Sequence, residues 1–232
     1  MSTKSFYDRN AEEIAEPLDV AAAGAALRQP GNRYFCVPDQ LPDASGLRAV
    51  ELGFGSVSRA TLFAGMFGEF EAADISATRL LGGQSVGFAW RDADLDQAWP
   101  FVDGSLDVVI AMMVFEHLFD PFHSFAELAR VLRPGGLAFV NLPNIGSVKC
   151  RFDLLRGRMP VTSNVDWFEK RQWDGGHLHY FTIDEVRRVA ALNGLGVRRI
   201  YPVGRFVGLK RLWPGLLCHE ISYVFEKAPA RG

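Results

Sequence analysis

The 232-residue chain is 48% hydrophobic and 22% charged, with a net charge of −2. This balance excludes disorder, collagen-like repeats and coiled coil, and the length suits one α/β domain better than two. The near-neutral total hides a split, because residues 1–116 carry 8 Lys and Arg against 17 Asp and Glu while residues 117–232 carry 17 against 10. Such a distribution lacks the global basic field of a nucleic-acid binder and points to one end that prefers cations and another that prefers anions.

The longest apolar run, Val108 to Phe115, is less than half of the roughly 20 residues that a membrane span needs. The N-terminus is polar and charged where a signal peptide would be apolar, so a cytoplasmic location is expected. Cys36, Cys150 and Cys218 are odd in number and far apart. They read as buried thiols rather than as a disulfide framework or a zinc site.

In chain order, helical periodicity covers Ala11 to Leu27 and stops at Gln29-Pro30-Gly31. A loop containing Pro38 and Pro42 leads to a strand from Leu47 to Leu52, which runs into Gly53-Phe54-Gly55. A buried helix follows over Arg59–Phe67, then a strand over Phe70–Asp74 that ends on an acid. The alternation of Val86, Phe88 and Trp90 predicts a third strand before the acidic turn Asp92-Ala93-Asp94-Leu95. Asp107 to Val114 reads as a central parallel strand, continuously apolar because helices cover both faces.

Pro121 to Leu132 is amphipathic and opens on proline, and Arg133-Pro134-Gly135-Gly136 stops it before a strand over Leu137–Pro143. From about residue 144 to 181 the periodicity lapses, apart from a short basic amphipathic piece around Val148, Phe152 and Leu155. An insertion of this length in a compact domain is commonly functional. Thr182 to Glu185 spells a capping box for a helix that runs to about Asn193. Val197–Val203 and Ile221–Phe225 close the pattern as strands, one of them antiparallel, since only a loop joins them. The expected fold is a single α/β domain over 1–232, a Rossmann-like doubly wound sheet of about seven strands, mostly parallel.

Ligands of open α/β sheets bind beyond the carboxyl ends of the strands. Four features fall there: the glycine turn after Glu51, Asp74, Asp94, and the pair Glu116-His117. Together they form an ordered series: acid-x-Gly-x-Gly, an acid after the second strand, Asp-Leu after the third, then Phe-Glu-His-Leu, then Leu-Arg-Pro-Gly-Gly. In this order the chain resembles the class I S-adenosylmethionine-dependent methyltransferases over about residues 5–227. Leu142-Pro-Asn-Ile-Gly-Ser147 and Leu155-Arg-Gly-Arg-Met-Pro-Val-Thr162 look more narrowly like the MetW-type branch of methionine biosynthesis. Gly176 to Thr182 is similar to the His-x-x-x-Phe-Thr entry to the late helix of many small-molecule O-methyltransferases.

The resemblance implies S-adenosylmethionine as cofactor, with Gly53 and Gly55 turning under its methionine part and Glu51 near its ammonium. Asp74 would take the ribose diol, Asp94 the adenine amine, and Leu95 one side of the ring, with Met112 or Met113 opposite. The chain departs from the family pattern at Val57, where a third glycine is usual, and at Phe54, where the usual residue is small. Tyr7 falls where these enzymes have an N-terminal lid helix.

A hydroxyl acceptor needs a base, and histidine suits neutral pH. His117 is the first candidate, His179 the second and His177 the third. His177-x-His179, with Asp174 close by, could suggest a metal site, but an isolated His-x-His is more often not one, so no metal is expected. The basic residues of the insertion, Lys149, Arg151, Arg156, Arg158, Lys170 and Arg171, accompany Trp167 and Trp173. They read as a solvated face, or as a surface for a phosphorylated, carboxylated or glycosylated small-molecule acceptor or for peripheral membrane contact.

The leading function is therefore methyl transfer from S-adenosylmethionine to a hydroxyl of a small anionic or sugar-bearing acceptor. The alternative is a MetW-like regulatory partner of a homoserine acyltransferase. Nucleic acid is not expected as a substrate, because the charge is wrong and no Asn/Asp-Pro-Pro-Tyr/Phe tetrad follows the fourth strand.

Overall fold

The computed structural model describes residues 19–83, 85–162, 169, 171 and 176–229. Helix α1 (Val20–Leu27) starts where the Asp19 side chain accepts the Ala22 N–H at 2.8 Å. Tyr7 and the first part of the helix read from Ala11 lie outside the described residues. Helix α2 (Cys36–Gln40) occupies a stretch that Pro38 marked as loop. Pro38 sits in its first turn, where the missing N–H has no intrahelical partner to lose.

The sheet comprises β1 (Ala44–Leu52), β2 (Phe67–Asp74), β3 (Ala89–Asp92), β4 (Leu106–Met112), β5 (Leu132–Pro143), β6 (Leu195–Pro202) and β7 (Glu220–Lys227). Its order is β3-β2-β1-β4-β5-β7-β6. The pairs among β1 to β5 are parallel, and β7 runs antiparallel to both neighbours. This is the doubly wound, Rossmann-like sheet with one reversed strand near the C-terminus that the element order predicts.

Period-two alternation sorts the strand residues into two cores. Val50, Leu52, Val109, Ala111 and Val140 pack on one face with Phe115, Phe125 and Leu128. Ala49, Val108, Ile110, Met112 and Phe139 pack on the other with Phe63, Phe67 and Tyr201. The helices between strands are α3 (Val57–Met66), α4 (Ala77–Leu81) and α5 (Pro121–Val131). Beyond the parallel strands come α6 (Val148–Leu155), α7 (Ile183–Leu192), α8 (Val207–Lys210) and α9 (Pro214–Leu217). Asp120 caps α5 by accepting the Phe122 N–H at 2.8 Å, and Pro121 supplies its first residue. The capping box of Thr182 and Glu185 opens α7.

Three differences from the sequence pattern have local causes. Val86 and Phe88 precede β3 rather than form it, and they pack with Phe54, Phe70 and Leu81 in a third cluster. The Arg133-Pro-Gly-Gly136 stretch breaks the helix but also begins β5, entering the ladder through a register shift between Leu106 and Val108. The junction of β6 and β7, read as a loop, folds into the two short helices α8 and α9.

The two ends of the insertion are tied together by a bridge between Asn144 and Phe181, with the Ile145 N–H donating to the Phe181 carbonyl at 2.9 Å. Helix α6 is the amphipathic piece expected there, capped by Ser147. Trp167, Lys170, Trp173 and Asp174 lie outside the described residues.

Candidate active site

The turn after β1 exists because Gly53 adopts φ +61°, in the left-handed region open to glycine. A Cβ at this position would lie 2.6 Å from Val114 Cγ2, so the backbone of β1 and the loop after β4 meet only because the side chain is absent. The Gly53 N–H donates to the Ala73 carbonyl at 2.7 Å, pinning the turn to β2. Gly55 is also left-handed, at φ +51°. Phe54 between them is fully buried and meets the Phe88 ring edge-on at 6.4 Å, which anchors the turn where a small residue would leave it loose. Val57, in place of a third glycine, is the first residue of α3.

Glu51, near the end of β1, is 1% exposed. Its Oε1 accepts from Arg59 Nε at 2.8 Å, and Arg59 also donates to the Phe54 carbonyl and lies 4.2 Å over the Tyr34 ring. Glu51 Oε2 has no hydrogen-bond partner among the described residues. Burial raises the Glu51 carboxyl above its ordinary range, and Arg59 opposes that shift.

A cleft of about 210 Å³ opens beyond the strand ends, lined by Gly53, Asp74, Ala93, Asp94, Leu95, Met113, Val114 and His117, among others. Asp74 closes β2 and accepts the Ser76 N–H at 2.9 Å. Asp94 accepts the Asp96 N–H at 3.1 Å, which fixes the turn that presents Leu95. The methionine pair divides. Met113 lines the cleft in a left-handed conformation at φ +59°, whereas Met112 packs in the core on the opposite face. Gly55 and Glu51 flank the turn but are not among the cleft-lining residues.

The three candidate histidines occupy different settings. His117, at the end of a 3₁₀ turn over Phe115–His117, lines the cleft. His179 lies beside Pro121, Phe122 and Glu185 in a separate depression, with Nε2 3.1 Å from the Phe119 carbonyl. His177 is 3% exposed and its ring meets that of His117 edge-on at 4.6 Å. Beside them Glu116 is fully buried, and burial pushes its carboxyl up to about 8. The Leu178 and His179 N–H groups both donate to the Glu116 carbonyl, at 2.8 and 3.2 Å, stitching the end of the insertion to the loop after β4. Sequence reasoning paired His177 with His179, but the fold pairs it with Glu116 and His117, some 60 positions away.

Residues 50–140 match a methyltransferase domain family. A probable S-adenosylmethionine-dependent methyltransferase of Mycolicibacterium smegmatis is 49% identical over 45 residues. That stretch covers 19% of this chain and 18% of the relative, so the chain spans less than a fifth of the curated protein it matches. Among solved structures, an S-adenosylmethionine-dependent methyltransferase from Mesorhizobium loti superimposes with a TM-score of 0.63 at 16% identity, covering 84% of this chain and 97% of that one. A chain from the complex of the Haloferax volcanii Trm112 methyltransferase activator with a methyltransferase gives 0.60 at 16% identity over 99% of both chains. The comparisons lend no support to the regulatory-partner alternative. Family match, relatives and fold point the same way: residues 50–140 are similar to a methyltransferase domain, the chain shares its fold with solved S-adenosylmethionine-dependent methyltransferases, and S-adenosylmethionine is the cofactor they indicate.

Proposed function

We propose that the protein transfers the methyl group of S-adenosylmethionine to a hydroxyl oxygen of a small acceptor that is anionic or sugar-bearing. The observation that carries this reading is that Asp74, Asp94, Leu95 and His117 line one cleft, at the strand ends where open α/β sheets take their ligands. In it, Asp74 holds the ribose diol, Asp94 the adenine amine, and Leu95 and Met113 the two sides of the ring. Gly53 and Gly55 give the methionine part its close approach to backbone. The orphaned Oε2 of Glu51 receives the ammonium, a fit that also explains why a buried carboxylate keeps one oxygen unpaired.

The sulfonium carries a methyl carbon open to in-line displacement. As the acceptor oxygen bonds to that carbon, the S–C bond breaks, its electron pair stays on sulfur, and S-adenosylhomocysteine leaves. Positioning supplies most of the acceleration, at its ideal limit about 7–11 kcal/mol. The acceptor's proton passes to His117, the one of the three candidate histidines that lines the cleft. Such a base contributes about 10²–10⁴ in rate.

The acceptor's negative charge is argued from the basic residues of α6, Lys149 and Arg151, followed by Arg156 and Arg158. Val148, Phe152 and Leu155 on the same helix are exposed, and Arg156 stacks 4.0 Å over Phe152. That basic and apolar edge suits peripheral contact with an anionic membrane surface, where a phosphorylated or glycosylated acceptor would be carried.

The test is transfer of a labelled methyl group to small-molecule fractions of a cell extract. Wild-type protein should label an anionic or glycosylated product through oxygen. His117→Ala should lower kcat about 10²–10⁴-fold while leaving the Kd for S-adenosylmethionine within about twofold. Products labelled only on nitrogen or carbon, or an unchanged kcat in the variant, would contradict the proposal.

A further inference from the structure

Glu116, His117 and His177 each offer a ligand atom, and the three atoms all lie within 4.8 Å of one another. Glu116 Oε1 stands 3.9 Å from His177 Nε2, too far for a hydrogen bond, and neither Glu116 oxygen has a hydrogen-bond partner among the described residues. A fully buried carboxyl left in this state calls for an ion or water, because buried charges are ordinarily paired or bound to a metal.

The spacing suits a cation. Two ligands on a tetrahedral ion with bonds of about 2.0–2.2 Å stand roughly 3.3–3.5 Å apart, so the Glu116 to His177 pair needs about half an ångström of closure and no pair more than about 1.5 Å. His177 is oriented for this role: its Nδ1 lies 2.7 Å from Thr162 Oγ1, which turns Nε2 toward Glu116. His117 Nδ1 lies 3.3 Å from the Gly176 carbonyl. Metal-bound histidines commonly have their other ring nitrogen held by protein oxygen in this manner.

We propose that Glu116, His117 and His177 form a binding site for a first-row divalent metal ion of the zinc type. Two imidazoles and one carboxylate select such an ion over magnesium or calcium, which take mostly oxygen ligands. Three protein ligands leave a fourth position, the pattern of catalytic rather than structural zinc. Of the three, His117 is the one that lines the cleft, so the fourth position would be reached from that side. The role of the ion rests on the methyl-transfer reading above: it would hold the acceptor oxygen and lower the pKa of its hydroxyl, and the base role given to His117 belongs to the metal-free protein. Metal binding itself does not depend on that reading.

The sequence concealed this site because it joins the loop after β4 to the far end of the insertion. The His177-x-His179 pair that attracts notice is not the ligand pair, as His179 turns to Phe119.

The test uses full-length, tag-free protein stripped with a chelator. Calorimetric titration with zinc chloride should give one ion per chain with a Kd below about 1 μM, and cobalt chloride should give the visible absorption of a four-coordinate nitrogen and oxygen site. Glu116→Gln and His177→Ala should each weaken zinc binding by at least the roughly 10–100-fold that loss of an outer-shell partner costs. Failure of the wild-type protein to bind zinc, or binding unaltered in both variants, would overturn the proposal. Should Glu116→Gln fail to fold, the wild-type titration and His117→Ala, at the cleft wall, decide the matter by the same criteria. S-adenosylmethionine affinity measured on the same samples separates the two readings: zinc bound without cofactor refutes methyl transfer and keeps the metal site, and cofactor bound without zinc does the reverse.

Discussion

Gly53 is the residue on which the turn after β1, the proposed cofactor turn, depends. At φ +61° an alanine is strained by about 1–3 kcal/mol, and its Cβ would press 2.6 Å from Val114, which belongs to the loop carrying His117. Gly53→Ala should therefore lower stability by roughly that amount and weaken S-adenosylmethionine binding at least tenfold, measured by denaturant melts and calorimetry. Gly55 has more room, with nothing closer than 3.9 Å to an added Cβ. Gly55→Ala should cost less on both readouts, and equal losses at the two positions would sink the argument from close approach.

Single residues at the strand ends were legible in the sequence, because an acid after an apolar run has few structural reasons to be there. Asp74 and Asp94 both line the cleft as that logic implies. Face assignment was harder. Met112 and Met113 are adjacent and chemically alike, and only the end of β4 at Met112 together with the left-handed turn at Met113 separates core from cleft. Arg59, which grips Glu51, escaped the sequence reading because an arginine one turn into a helix usually faces solvent. The spacing Glu51 to Arg59, from strand end to the first turn of the next helix, was the available signal.

At the scale of elements, α5 shows how a helix is fixed to the sheet beside the site. Phe125 meets Phe115 edge-on at 5.3 Å and Phe225 at 5.8 Å, so one side chain links the turn that bears His117 to β7. At the same helix, the Glu127 carboxylate accepts from Arg130 through Nε and Nη2, both at 2.7 Å, and from the Trp99 N–H at 2.6 Å. The hydrogen bonds from Arg130 hold the Glu127 carboxyl below its ordinary value.

A carboxyl with a lowered folded-state pKa stabilises the fold above its unfolded value and loses that contribution as pH falls through the folded one. Glu127→Gln should therefore cost about 1.5–3 kcal/mol at pH 7, with the gap to wild type narrowing as the pH drops below the ordinary glutamate value of 4.5. Urea melts at pH 7 and pH 3.5 check this, and a gap that widened at low pH would contradict it.

Long periodic elements such as α5 and β4 were readable because their burial pattern repeats. Helices α2 and α4, of five residues each, were not. Neither repeats a pattern, and α4 is held at its start by a side chain from another element, the Thr78 N–H donating to Asp92 Oδ1 at 2.9 Å. The early start of β5 escaped for a different reason: Gly136 passes so close to Asp107 and Arg133 that only glycine fits, a contact invisible from the local sequence.

Across the whole molecule, the charge split acquires a location. The acidic half supplies β1 to β4 and with them Glu51, Asp74 and Asp94, the acids proposed to surround a cofactor that carries a sulfonium and an ammonium. The basic half supplies the insertion and the strands β5 to β7. The insertion does not hang free of the domain, because the Asn144 to Phe181 bridge closes its base and the Glu116 carbonyl receives its returning backbone. The cofactor side and the proposed acceptor side thus share the loop after β4, where Glu116 and His117 stand. Among the described residues no helix is long and apolar enough to cross a membrane.

The central claim is that this cleft binds S-adenosylmethionine through the groups at the strand ends. Isothermal titration of S-adenosylmethionine into wild-type protein and Asp74→Ala tests it most directly. The account predicts one site per chain with micromolar affinity, weakened at least tenfold in the variant while its folding is retained. No heat at millimolar cofactor, or equal affinity in the two proteins, would contradict it.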